Sequence, residues 1–240
     1  MLVDCRELTN GQLISCDICI IGAGAAGITI ARSYISSAFS VCLMESGEFK
    51  PDSETQALYK GWTVFNGAEK KESYFLGSRL RYFGGSTNHW AGWCRPLDPI
   101  DFRERDWVEY SGWPIDETVL KPYYSKAADI VEIEHFKEFK NELRGCSGDA
   151  AIVDSENICS KYFHFSPPTR FRKKYRSELI DADNIKVCVN ANAQIISLNE
   201  KGNKVDHVDF KTLSGIQFNV RAKVIIVATG GIEKEVAPEI

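Results

Sequence analysis

No stretch of this 240-residue chain approaches the ~20 consecutive apolar residues that a membrane-spanning helix needs, so the sequence predicts no membrane span. Blocks of one charge are equally scarce. The 29 Lys and Arg stand against 33 Asp and Glu, and the net charge of -4 is spread along the chain, which offers a nucleic-acid backbone no basic stripe. The short basic run Arg170-Phe171-Arg172-Lys173-Lys174 reads as a solvated face. The segment from Met1 to Cys16 carries Asp4 and Glu7 and lacks the apolar centre of a secretory signal, so a cytoplasmic protein is the expectation. Metal and disulfide signals are missing as well. Eight cysteines are scattered at 5, 16, 19, 42, 94, 146, 159 and 188, and the one close pair, Cys16 and Cys19, has no second pair to complete a four-ligand site. Residues three apart on a strand point to opposite faces, which argues further against chelation. The cysteines read as small buried hydrophobes in a reducing compartment.

What is present is an ordinary globular composition, 44% hydrophobic and 26% charged, enough for one core with an elaborate insertion. From Cys16 the chain runs Cys-Asp-Ile-Cys-Ile-Ile, then Gly22-Ala-Gly24-Ala-Ala26-Gly27, then a segment with Ile28, Ala31, Tyr34 and Ile35 on one helical face. This is strand, glycine turn and helix. Gly22 permits the tight turn, Gly24 lets backbone approach a pyrophosphate, and Gly27 lets the helix pack closely on the strand. The helix N-terminus then faces the anion. A second apolar strand, Val41-Cys-Leu-Met, leads into Glu45 and Ser46, and Glu45 follows Gly22 by 23 residues, near the spacing of a carboxylate that binds ribose hydroxyls.

The far end favours FAD over NAD. Residues 185–189 and 191–196 read as strands, 205–213 alternates as a strand, Ser214-Gly215 is a turn, 217–220 returns, and Val224-Ile-Ile-Val227 reads as a buried parallel strand ending in Ala228-Thr229-Gly230-Gly231. A meander feeding such a strand resembles the flavin branch of the two-dinucleotide-binding folds. In the middle, Gly84-Gly85-Ser86-Thr87-Asn88-His89-Trp90 offers no apolar face at period 2 or 3.6. Permissive glycines, short hydrogen-bonding side chains, an imidazole and an indole suit a loop that wraps a ligand.

These segments together resemble the N-terminal half of a glucose-methanol-choline (GMC) oxidoreductase. The matching residues also include Glu45-Ser-Gly47, Arg95-Pro-Leu-Asp-Pro-Ile-Asp-Phe102, Ser111-Gly-Trp-Pro114, Pro122-Tyr-Tyr124, Pro167-Pro-Thr-Arg-Phe171 and Gly230-Gly-Ile-Glu233. Within that family the chain is most similar to the group of pyranose oxidases and bacterial sugar dehydrogenases. The resemblance implies an FAD cofactor and transfer of hydride from a carbinol carbon of a sugar or other alcohol to flavin N5. It implies that Gly22, Gly24, Ala26 and Gly27 meet the pyrophosphate, that Glu45 with Ser46 holds the ribose, and that Ala193 presents backbone to adenine. It further implies that Gly84, Gly85, Ser86, Asn88, His89 and Trp90, with Ala228 and Gly230, line the flavin. In pyranose oxidases the corresponding His, preceded by Thr, bonds covalently to the flavin. Asn88 precedes His89 here, and attachment through His89 is an open alternative to non-covalent binding.

The implied fold is α/β: a Rossmann-like FAD-binding parallel sheet with a β-meander (1–96 and 181–240) and an irregular helical insertion (97–180). In the insertion Asp116 caps a first turn, Pro122 separates it from a helix carrying Tyr124, Ala127, Ala128 and Val131, and Trp107 and Trp113 anchor the cover to the core. The stretch from Cys146 to Cys159 reads as a surface loop.

Alcohol oxidation also needs a base for the hydroxyl proton. Of the four histidines, His135 and His207 read as surface residues, His164 as packed between Phe163 and Phe165, and none has a carboxylate at a persuasive position. The family's catalytic His belongs to a region beyond these residues, so the sequence predicts a chain truncated before the substrate domain. It would be either one half of a two-part enzyme completed by a C-terminal chain or a silent nucleotide-binding remnant.

Overall fold

The computed structural model describes residues 1–61, 63–65, 68–70, 73–133 and 163–234. Its strands are β1 (Leu2–Asp4), β2 (Gln12–Ile21), β3 (Val41–Met44), β4 (Thr63–Phe65), β5 (Ala68–Lys70), β6 (Trp93–Cys94), β7 (His164–Phe165), β8 (Ile185–Val189), β9 (Asn192–Leu198), β10 (Val205–Lys211) and β11 (Gln217–Val227). Its helices are α1 (Ala25–Ser33), α2 (Ser53–Ala57), α3 (Ser73–Ser78), α4 (Glu117–Val131), α5 (Phe171–Asp181) and α6 (Gly231–Lys234). Two compact units result, one of Met1–His89 with Arg170–Ile240, the other Trp90–Thr169.

The first unit is built on a seven-stranded sheet of order β1-β8-β3-β2-β11-β10-β9. The pairs from β1 to β11 are parallel, and β11-β10-β9 is an antiparallel meander. β3 shows why: Val41, Cys42, Leu43 and Met44 are all buried, the continuous apolar run of a strand covered on both faces. Between Cys16 and Cys19, β2 bulges, since the N–H groups of Asp17 and Ile18 both donate to the Ser40 carbonyl, at 3.0 and 3.1 Å. The helix after the glycine turn is shorter than its sequence predicts. Ile28 and Ala31 are buried, but Tyr34 is already the C-cap and Ser36 has φ 60°, which puts Ile35 past the end.

α5 belongs to this unit. Phe171, Tyr175 and Leu179, spaced four apart, form a buried stripe, and the helix packs on β8 and α1. The boundaries therefore fall at 89/90 and 169/170 rather than at 96/97 and 180/181. β11 is one eleven-residue strand where the sequence predicted two segments, and its last part is not the buried strand expected. Val224 is 51% and Val227 45% exposed, because β10 pairs with β11 only from Gln217 to Val220.

In the second unit, Asp116 caps α4 as predicted, accepting from the N–H groups of Thr118 and Val119 at 2.9 and 3.4 Å. The helix then continues through Pro122 instead of restarting after it. A capped start and a buried Ala128 sustain it despite the missing N–H. Trp107 and Trp113 are exposed and do not anchor this unit. That role falls to Trp90, whose indole N–H donates to the Thr169 carbonyl at 3.0 Å. Phe163 and Phe165 are both exposed and pack on Trp93, with ring centroids 5.4 and 5.5 Å from its own, while His164 between them is half-buried. His135, Cys146 and Cys159 lie outside the described residues.

Candidate functional site

The carboxyl ends of the parallel strands are laced together by backbone. Gly22 N–H donates to the Met44 carbonyl (2.7 Å), Ala228 N–H to Ile21 (2.8 Å), Glu45 N–H to Cys188 (2.8 Å) and Ala191 N–H to Glu45 (2.9 Å). Over this edge lies a cavity of about 800 Å³, at the place where open α/β sheets hold ligands. Gly22, Gly24, Ala26, Glu45, Ser46, Gly85, Ser86, Ala193, Ala228 and Gly230 all line it. The structure thus gathers ten of the residues singled out by sequence.

The three glycines of the turn do different things. Gly22 has φ 102°, and a Cβ there would lie 2.8 Å from the Ala228 carbonyl oxygen. A Cβ on Gly27 would lie 1.9 Å from the Gly22 carbonyl oxygen, so this glycine permits the close approach of α1 to the turn and lines no cavity. A Cβ on Gly24 would meet no protein atom within 4 Å. Gly24 is the N-cap of α1, has no capping side chain, and no acid occupies the first turn of the helix, so the exposed N–H groups and the positive end of the helix dipole face the cavity.

Glu45 is 5% exposed. One carboxylate oxygen accepts from Ala23 N–H at 3.0 Å and the other from Gly47 N–H at 2.9 Å and the Ser46 hydroxyl at 3.3 Å. It clasps the glycine turn to the end of β3, and the oxygen that meets Ala23 N–H keeps a second lone pair for a ligand hydroxyl.

The segment from Gly84 to Trp90 divides. Gly85–Asn88 forms a single 3-10 turn. Gly85 and Ser86 face the cavity, and a Cβ on Gly85 would lie 3.1 Å from the Gly24 Cα. Gly84, Asn88, His89 and Trp90 are not in the lining. Gly84 has φ 94°, with Arg172 N 2.9 Å from its would-be Cβ; the Asn88 amide donates to the Phe83 carbonyl at 2.9 Å; His89 is exposed; Trp90 belongs to the other unit. Gly84 and Asn88 hold the turn, because backbone groups at a tight bend need partners. Thr87, part of the same predicted loop, lines the cavity and also holds the turn: its hydroxyl donates to Gly84 carbonyl at 2.6 Å and accepts from Phe171 N–H at 3.3 Å, capping α5 from outside that helix.

Sequence reasoning also missed Tyr59, Arg79 and Arg81, which line the cavity. The guanidinium carbons lie 4.0 Å (Arg79) and 4.9 Å (Arg81) from the Tyr59 ring centroid. The Gln56 side chain fixes this arrangement. Its amide donates to the carbonyls of Leu76 (2.8 Å) and Arg79 (2.7 Å), and its oxygen accepts from Arg81 N–H (3.0 Å). No motif spacing signals such a convergence.

Away from the cavity, the bulge in β2 brings Cys16 and Cys19 onto the face where Cys5, Cys42 and Cys188 lie, contrary to the opposite faces expected of a regular strand. Cys16 is pushed up by its bond with Cys42 and by burial, and Cys19 chiefly by burial. Cys42 is lowered by Cys16 but raised more by Cys188 and burial, to about 12. These are protonated packing groups, and no three His, Cys, Asp or Glu among the described residues are arranged to hold a metal. His207 has carboxylates at hand after all, Asp206 at 2.8 Å and Asp209 at 3.3 Å, but it stands on β10 outside the lining. No described helix is long and apolar enough to cross a membrane.

No family model matches the chain. Two solved oxidases align over nearly all of it: formate oxidase (TM-score 0.56, 18% identity, 92% of this chain and 46% of that one) and pyridoxine 4-oxidase from Mesorbium loti (0.58, 19%, 91% and 50%). A third is a variant of Aspergillus oryzae RIB40 formate oxidase, described for the effect of a mutation on FAD modification, at TM-score 0.55, 18% identity, and 92% and 46% coverage. The chain has the fold of the matching part of these oxidases. Among curated proteins, 2-methyl-1,2-propanediol dehydrogenase of Mycolicibacterium austroafricanum is 24% identical over 163 residues, 59% of this chain and 27% of the relative. The chain thus spans about half the length of the oxidases it matches and about a quarter of the dehydrogenase.

Proposed function

We propose that this chain is the FAD-binding portion of an oxidoreductase that acts on CH–OH groups of sugars or other alcohols. The observation that carries the reading is the cavity over the carboxyl ends of β2, β3 and β11, where Gly24 leaves open space before the uncapped N-terminus of α1 and Glu45 stands at the end of the neighbouring strand. That donor set fits a dinucleotide: N–H groups for the diphosphate, a carboxylate for ribose hydroxyls, and an apolar wall from Ile21, Met44, Ile196 and Val227 for the rings. When bound, FAD supplies a two-electron acceptor. The alcohol class is supported by the names of the propanediol dehydrogenase relative and of pyridoxine 4-oxidase.

Gly85 and Ser86 would flank the cofactor, held by the bonds of Thr87 and Asn88 described above. His89 is exposed and outside the lining, which favours non-covalent FAD over a bond through that residue. The groups that handle substrate and its proton would come from a further polypeptide segment, joined to this one or separate. Titrating the 240-residue chain with FAD, FMN and NAD⁺, followed by tryptophan and flavin fluorescence, tests the reading. FAD is expected to bind well ahead of the other two. Preference for NAD⁺, or no binding of FAD, would refute it.

A further inference from the structure

We propose that Arg79 and Arg81, stacked on Tyr59, form the cationic wall that neutralises the diphosphate of the bound dinucleotide. The inference rests on the dinucleotide reading of the cavity and assigns a role to three residues that no sequence motif marks. The charge balance of the lining motivates it. Arg79 and Arg81 are its two cations and Glu45 its single anion, whose oxygens already accept from Ala23 and Gly47 N–H groups. A dinucleotide brings two negative charges on its diphosphate. The helix terminus alone offers partial charge of about half a unit, so full neutralisation in a half-enclosed site calls for guanidinium groups as well.

The geometry suits that task. Both guanidinium carbons lie over the Tyr59 ring, at 4.0 and 4.9 Å from its centroid, which holds the two cations together at one place in the lining while a guanidinium's N–H edge is the part that recognises phosphate. Position along the cavity fits too. The Leu80 carbonyl oxygen lies 4.0 Å from the would-be Cβ of Gly85, the residue that abuts Gly24. The Arg81 carbonyl lies beside Gly47, where the Glu45 turn ends. The segment 79–81 therefore runs from the glycine turn toward the ribose carboxylate, the span between which a diphosphate must sit. Gln56 pins its backbone at Arg79 and Arg81, so the charges are placed before a ligand arrives.

The test compares Arg79→Gln, Arg81→Gln and the double variant with the parent chain in binding FAD, ADP and adenosine, by calorimetric titration at two salt concentrations. Each single change is expected to weaken FAD and ADP about tenfold, the value of one lost charge-assisted bond, and to leave adenosine within twofold. The salt dependence of ADP binding is expected to flatten in the double variant. Tyr59→Leu, which keeps both charges and removes the platform, is expected to show a smaller loss. Thermal melts without nucleotide identify any variant that fails to fold, and Arg81→Lys then serves in place of Arg81→Gln, with partial loss expected. Equal weakening of ADP and adenosine, or no weakening of either, would overturn the inference while leaving the dinucleotide reading intact. A parent chain that binds neither FAD nor ADP would overturn both.

Discussion

Gly24 and Gly27 stand three residues apart in one motif, yet the structure separates a ligand-facing glycine from a packing glycine. Replacing Gly27 by Ala puts a methyl 1.9 Å from the Gly22 carbonyl oxygen, and neither backbone can yield without opening the turn. Such overpacking costs about 3 kcal/mol. Replacing Gly24 by Ala puts a methyl into open space at an extended φ of -82° that alanine tolerates. Gly27→Ala should therefore lower the urea midpoint of the nucleotide-free chain, and Gly24→Ala should leave that midpoint unchanged while abolishing FAD binding. Equal midpoints for the two variants would contradict the assignment. Glu45 supplies a second residue-scale prediction. A glutamine there turns one acceptor into a donor facing either Ala23 N–H or Gly47 N–H, an unpaired buried group worth about 1–3 kcal/mol. Glu45→Gln should destabilise the nucleotide-free chain by that amount in urea denaturation. The glycines and Glu45 were legible from sequence because the turn demands particular backbone freedom at fixed spacing. Tyr59, Arg79 and Arg81 were not, since only the side chain of Gln56, across a gap of more than twenty residues, makes them neighbours.

At the scale of elements, legibility followed the strength of the local pattern. The apolar run of β3 is sufficient to specify a buried parallel strand, and the stop signals around 214–215 correctly separate β10 from β11. Pro122 and the end of β11 depend on context instead: a well-capped helix tolerates the proline, and exposure of Val224 and Val227 is decided by where β10 ends. The bulge in β2 is likewise invisible in the sequence, yet it has its own titrating lock. Asp17 carboxylate takes the Lys223 ammonium at 2.7 Å and accepts from the Ser40 N–H at 2.9 Å and hydroxyl at 2.7 Å. Lys223 first, then Ser40, holds this carboxyl well below its ordinary 3.8. A depressed folded-state value stabilises above the unfolded one and is lost as pH falls through the folded one. The gap in urea midpoint between the parent chain and Asp17→Asn should thus be full above about pH 4 and close progressively below it. Salt should remove only part of the gap, because the exposed Lys223 pair is screened and the Ser40 bonds are not. A gap that widened on acidification would rule this lock out.

For the molecule as a whole, the question is how much of a reaction this cavity can carry. Accepting electrons from a carbinol carbon is a task for the cofactor, but the hydroxyl proton must go to a group of suitable pKa within hydrogen-bond reach. Among the described residues the lining holds two arginines, whose side chains carry donors and no acceptor, and Glu45, whose oxygens lie against backbone N–H groups in a buried turn. No histidine lines it; His89 is exposed, His207 is engaged by two aspartates on β10, and His164 belongs to the other unit. Binding and chemistry are therefore separable in this chain. The 240-residue protein saturated with FAD should show no reduction of an artificial electron-accepting dye with glucose or 1,2-diols above a cofactor-free blank. Acid precipitation should release its flavin into the supernatant, as non-covalent binding requires. Alcohol-dependent dye reduction by the purified chain would demand a proton acceptor within the lining and would overturn this separation.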